Sequence, residues 1–255
     1  MGKALALDFG TNSIGWVTSD TQTSNLIKCG VRIYPTQNIG NTSTKQRRNT
    51  LHMKIFEEEI RYPEKGDKFF IESGDEDDIA WLHQVFQNFG GYADSYQASA
   101  LSLIDTALEE QEFKDLHVYP IIFLIRHYLE LRLKELIIGL SYCKSQNRHF
   151  PKTHDIQHLW SKFKQSYSEI GENTNDKRFK SVDKLIKEMS KVDPNSMTFR
   201  YPDGSDHKYN HINLNNLKET FIKVSFLFDG VAIQIAHYVD ITADLVQSVY
   251  ENFHP

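Results

Sequence analysis

Between residues 117 and 143, HVYPIIFLIRHYLELRLKELIIGLSYC, apolar side chains recur at steps of three and four: Ile121, Ile122, Leu124, Ile125, Tyr128, Leu129, Leu131, Leu133, Leu136, Ile137 and Leu140. That spacing predicts a helix with a very wide apolar face, central to a bundle and covered on most sides. Pro120 is expected in its first turn, where a missing N–H costs nothing, and Gly139 is expected to weaken its last turns. The same stretch carries Arg126, His127, Glu130, Arg132, Lys134 and Glu135. Arg126 with Glu130, and Glu130 with Lys134, stand four apart and can pair. A buried charge is costly unless it is paired, so Arg126-His127 calls for an internal partner, a ligand or a second subunit.

Most of the remaining pattern is also helical. Residues 78–89 read as a short amphipathic helix stopped by Gly90-Gly91, and 94–111 as a helix capped by Asp94 or Ser95. Residues 153–170 take Thr153 or Asp155 as cap and bury Ile156, Leu159, Trp160, Phe163 and Tyr167. Residues 177–192 bury Phe179, Val182, Leu185, Ile186 and Met189; a long helix over 214–238 and a terminal one over about 241–252 follow. The start differs. Residues 3–9, 14–19 and 26–34 are short apolar runs divided by turn-forming residues, a small antiparallel meander too small to bury a core alone. A basic helix begins at Thr44 and runs to about Arg61 with basic residues first and Glu57, Glu58 and Glu59 last, opposing the helix dipole, so it is a solvated surface helix or one that orders on binding. Pro63, Gly66, Gly74 and nearby acids make 62–77 an acidic linker between a module over 1–61 and a bundle over 78–255.

Composition narrows the function. The 255 residues carry a net charge of −5, so any nucleic-acid contact must come from a local basic patch. Cys29 and Cys143 fit no metal spacing and no disulfide framework, which points to the cytoplasm. No apolar run approaches the roughly 18 residues of a membrane span, and no secretory cleavage site follows the N-terminus. No GxxxxGKS/T, GxGxxG after a strand, HExxH or GxSxG is present. His154 and His158 are four apart but lack a third metal ligand.

The string ALDFGTNSIGWVTSD, followed by GVRIYP and an arginine-bearing segment, resembles the start of Cas9: its first RuvC motif, the hairpin and the beginning of the bridge helix. The resemblance covers about 50 residues and makes Asp8 the position of the first metal-binding carboxylate. It also makes Lys45, Arg47, Arg48 and Lys54 the candidates for contact with nucleic acid or with Cas9. A two-metal nuclease needs further carboxylates from later motifs, and neither those motifs nor an HNH segment has a counterpart here. Asp8 alone cannot assemble the metal pair, and no cofactor is expected.

Residues 94–240 resemble the HEPN superfamily of small helical bundles: PIIFLIRHYLELRLKELI, then HDIQHLW, then FRYPDG, then a long last helix. The ribonuclease motif of that superfamily is an Arg followed after four to six residues by a His, the Arg stabilising the phosphorane while the His moves the proton. No His follows Arg126 at that distance, whereas Arg148 with His154 and Arg200 with His207 satisfy it. Candidate catalytic residues on this reading are Arg126, His127, Arg200 and His207. The plainer reading has His154 pinning a corner of the bundle and Arg200 answering an acid on a neighbouring helix.

The expected fold is therefore mainly α, a HEPN-like helical bundle preceded by a small N-terminal antiparallel β-hairpin or meander. Together the two resemblances imply a non-catalytic accessory protein of a type II-C CRISPR system. It would homodimerise, bind Cas9, meet guide RNA or target DNA through that complex, and stay off membranes. The alternatives are a metal-independent HEPN endoribonuclease of a toxin or antiphage system, and a Cas9-mimicking inhibitor.

Overall fold

The computed structural model describes residues 3–9, 13–20 and 26–33 as backbone, and 63–82, 88–110, 114–145, 147–201 and 209–253. The basic segment 44–61 and residues 202–208 lie outside the described residues. The chain divides into two compact units, 1–70 and 71–255. In the first, strands β1 (Lys3–Phe9), β2 (Ser13–Asp20) and β3 (Leu26–Ile33) pair antiparallel in the order β1-β2-β3. Asp8 stands opposite Gly15, Trp16 opposite both Leu7 and Gly30, and the β2–β3 register shifts at Thr18/Ser19. Residues 63–75 are exposed and irregular; Gly66 takes the left-handed φ of +118° that a residue with a side chain rarely adopts.

The second unit is mainly helical, and five helices lie among its described residues. Of the helix that periodicity puts over 78–89, residues 83–87 lie outside the described residues. Glu76–Asp78 form a single 3-10 turn, and Ile79–Leu82 are unwound, with Trp81 and Leu82 largely exposed. Helix α1 (Phe89–Glu109) starts instead at Asn88, whose side-chain oxygen accepts from the Gly91 N–H at 2.8 Å. Gly90 and Gly91, read from sequence as a stop, lie buried in its first turn, because a β-carbon on Gly90 would run into the Glu135 carboxyl. Glycine there serves close approach rather than termination.

Helix α2 (Lys114–Ser145) has 32 residues, and its earlier start puts Pro120 in the second turn rather than the first. Helices α3 (Ile156–Glu169) and α4 (Lys177–Val192) begin at Asp155 and Asp176, each carboxylate accepting from two N–H groups of the following turn. Helix α5 (Leu214–Phe253) runs unbroken for 40 residues, about 60 Å at 1.5 Å per residue. Two helices were expected there, but Val239-Asp240-Ile241 contains neither Gly nor Pro and nothing interrupts the ladder.

Side-chain contacts fix the directions. Helix α1 lies antiparallel to α2, with Asp94 on Arg132 and the Tyr96 ring on His127. Residues 147–155 return along α2, so α3 runs parallel to it, from His154 beside Glu130 to Glu169 beside Lys144. Helix α4 reverses onto α3, where Phe179 stacks on Phe163 and Tyr167 and Asp183 accepts from the Trp160 indole and Lys164. Helix α5 again parallels α2, from Phe221 against Tyr128 to Ile235 against Gly139. The core is one cluster in which α2 packs against α1, α3 and α5, with Tyr128, Leu133, Leu136, Leu140, Phe163 and Phe228 fully buried.

Helix α5 continues past the end of α2, and its apolar residues there, Ile241, Leu245, Val249 and Tyr250, are exposed. So are Ile222, Phe226 and Ile233 on its outer side. By length and composition this helix could cross a membrane, and 28% of the qualifying window is buried. The sequence expectation of no such segment rested on unbroken apolar runs, which a helix with sparse charges escapes.

Gly139 is a contact point rather than a weakness of the last turns: a β-carbon on it would stand 2.5 Å from Ile235 Cγ2. Gly139→Ala should therefore lower stability by about 1–3 kcal/mol through overpacking, despite the better helix propensity of Ala. Thermal unfolding checks this, at about 2–4 °C per kcal/mol for a domain of this size; a raised melting temperature would contradict the close approach.

Candidate functional site

Three charged residues spaced four apart run along the buried side of α2. Arg126 is 0% exposed, Glu130 1% and Lys134 7%. Arg126 Nη1 donates to Glu130 Oε2 at 3.4 Å and Lys134 Nζ to Glu130 Oε1 at 2.8 Å. His154 Nδ1 lies 2.9 Å from the same Oε1, and the Lys134 ammonium sits 6.0 and 5.7 Å from the ring centroids of Phe89 and Phe150. The partners that the sequence demanded for Arg126 are internal. Its Nη2 donates to the His154 carbonyl at 2.5 Å and its Nε to the Asp193 carbonyl at 3.4 Å. Burial pushes the Arg126 pKa down while Glu130 and Asp193 oppose the shift. For Glu130, burial pushes upward, but hydrogen bonds from Lys134 and His154 outweigh it and hold the carboxyl below the usual range.

Arg126 thereby ties α2 to the return segment and to the end of α4. Asp193 carries the tie further, because its Oδ1 accepts from the N–H groups of Met197 and Thr198 at 2.8 and 3.1 Å. The 197–201 turn, which presents Arg200, hangs from that carboxylate.

His127, one residue along, turns to the other side of α2 and is half-buried. Its ring meets Tyr96 edge-on at 4.5 Å and lies parallel to Phe123, with centroids 5.7 Å apart and planes 10° apart. The Arg200 guanidinium sits 5.5 Å from the Phe123 centroid and 5.7 Å from that of Tyr201. Its Nε donates to the Ser196 carbonyl at 2.6 Å and its Nη2 to Met197 Sδ at 2.9 Å. No carboxylate among the described residues pairs with Arg200; aromatic faces stand where an acid on a neighbouring helix was expected. Burial pushes the His127 pKa down; Glu130 opposes the shift, while the Lys134, Arg126 and Arg200 charges add to it.

The other candidates are placed differently. Asp8 lies in β1 opposite Gly15. Lys45, Arg47, Arg48, Lys54 and His207 lie outside the described residues. The Arg148 guanidinium lies 5.6 Å from the Tyr142 ring centroid. Among the described residues no three His, Cys, Asp or Glu side chains converge to hold a metal. Phe123 and Tyr96 escaped the sequence reading; the signal was the i, i+4 spacing of Phe123 and His127 on the less apolar side of α2. Comparison with protein-family models, with curated proteins and with solved structures finds no match to this chain.

Glu130→Gln should cost about 3–5 kcal/mol at pH 7, because it leaves the buried Arg126 and Lys134 charges uncompensated. The sign with pH follows from the depressed carboxyl: its contribution is present above the ordinary Glu value of about 4.3 and is lost as pH falls through the lower folded value. Urea unfolding from pH 7 down to pH 3 should show a steeper acid loss in the wild type than in Glu130→Gln. Parallel curves would remove Glu130 from the account.

Proposed function

We propose that the chain is a non-catalytic accessory protein of a type II-C CRISPR system, which homodimerises, binds Cas9 in the cytoplasm and strengthens its engagement of DNA. The observation that carries this reading is ALDFGTNSIGWVTSD, a string resembling the first RuvC motif of Cas9 in a chain without the later motifs. An isolated copy of that element has no metal pair to serve, so its use lies in contact. The mainly helical second unit agrees with the HEPN-like bundle that the sequence resembles, and the N-terminal strands would form the hairpin module of the Cas9 element. Lys45, Arg47, Arg48 and Lys54 would supply contacts to Cas9 or its nucleic acid.

Dimerisation has physical support in α5, where Ile222, Phe226 and Ile233 form an apolar stripe with Phe226 80% and Ile233 74% exposed. A symmetric pairing of two such stripes would cover both, and a dimer holding two effectors gains avidity without a new active site. A second reading, a metal-independent HEPN endoribonuclease, is favoured by the juxtaposition of His127 and Arg200 across the Phe123 ring.

Light scattering on the eluting protein, alone and mixed with Cas9 from the same locus, tests the leading reading. The expected outcome is a dimer that shifts into a larger stoichiometric complex, and a Phe226→Asp, Ile233→Asp variant that is monomeric yet folded. A dimer indifferent to Cas9 would sink the accessory reading, and RNA cleavage in EDTA that is lost in His127→Ala would install the second.

A further inference from the structure

Arg200 is an exposed cation held in place by bonds from its own turn, stacked on two rings and paired with no acid among the described residues. Holding a guanidinium in that way keeps its remaining N–H groups available to an anion from outside. Beside it, in the same helical unit, lies a cavity of about 530 Å³ between the start of α2, Phe199 and the segment leading into α5. Tyr119 and Phe199 wall it, their centroids 6.3 Å apart, together with Tyr209. Asn210, Asn213 and Asn215 line it as well, with Lys114 and Asp115 as its charged residues. Asn213 uses its oxygen to accept from the Asn216 N–H at 3.0 Å, which leaves its amide hydrogens for another acceptor.

Rings, carboxamides and an adjoining arginine with no acid partner among the described residues suit one chemistry together. Aromatic faces stack on bases of any sequence, carboxamides pair with base edges, and a guanidinium takes the phosphate. An acidic peptide would use the cation but would leave the ring-walled cavity and its amides without a role. A volume of 530 Å³ falls in the range of ligand pockets.

We propose that this face of the helical unit binds single-stranded nucleic acid, a base entering the cavity walled by Tyr119 and Phe199 while Arg200 holds the neighbouring phosphate. The site is independent of the Cas9 reading: it can hold whether or not the chain engages an effector. Its position also differs from the basic segment at Lys45, Arg47 and Arg48, so two contributions to binding must be separated.

The test is fluorescence anisotropy of the full chain with labelled twelve-nucleotide oligo-U RNA, oligo-dT DNA and a blunt RNA duplex, at several salt concentrations. The starting protein is a variant with Lys45, Arg47 and Arg48 changed to Ala, so that the remaining binding reports the helical unit. Saturable binding to a single strand should persist and exceed that of the duplex; the two single strands decide between RNA and DNA. Arg200→Ala should weaken it at least tenfold and lower the salt slope by about 0.7, the value of one phosphate contact on a single strand. Asn210→Ala, on an exposed side chain whose loss should leave the melting temperature unchanged, should weaken it severalfold at an unaltered salt slope. No saturable binding by the starting variant, or an Arg200→Ala protein of unchanged melting temperature that binds as before, would overturn the proposal and leave the face to a protein partner.

Discussion

A single carboxylate, that of Glu130, sits at the centre of the helical unit and answers Arg126, Lys134 and His154 at once. Removing it would strand two buried cations on a helix whose other buried residues, Arg132 apart, are Ile, Leu and Tyr. Its effect reaches beyond α2, since Arg126 also binds two backbone carbonyls from chain segments far away in sequence. An apolar replacement of the whole ladder could pack as well, but it would not tell the return segment or the end of α4 where to stop. The ladder thus supplies register as well as neutrality.

From that centre the constraint passes outward through Asp193, whose carbonyl meets Arg126 while its carboxylate organises the next turn. The half-buried stack of His127 and Phe123, with Arg200 at its outer side, therefore rests on a buried ionic group on the opposite side of the same helix. Rigid support of this kind is what a recognition surface needs, because a side chain fixed before binding loses less freedom on binding.

Much of the helical unit was legible in the sequence. The i, i+4 pairs on α2 and the Asp155 cap of α3 follow from local rules, and α4 runs over the residues its periodicity marked. Misreadings fell where tertiary contact decides. Gly90 and Gly139 look like helix breakers in one dimension, yet both mark places where another element comes too close for a β-carbon. Ile79–Leu82 carries a helical pattern yet is unwound, with Trp81 and Leu82 largely exposed. Of the site, Arg126 announced its need for a partner and Glu130 was legible as one, but its other two partners are backbone carbonyls that no motif encodes. Arg200 was visible as half of a spacing with His207 or as the partner of an acid, whereas its neighbours are its own turn, Tyr201 and the Phe123 ring of α2.

The unbroken course of α5 has a geometric consequence. Residues 241–253 extend beyond the end of α2 as a rod about 20 Å long, its length set by the rise per residue. Whatever the rod carries is held at a distance counted in helical turns, and one inserted residue would both lengthen it by about 1.5 Å and rotate its far end by about 100°. The bundle thereby contains its own ruler, graduated in residues.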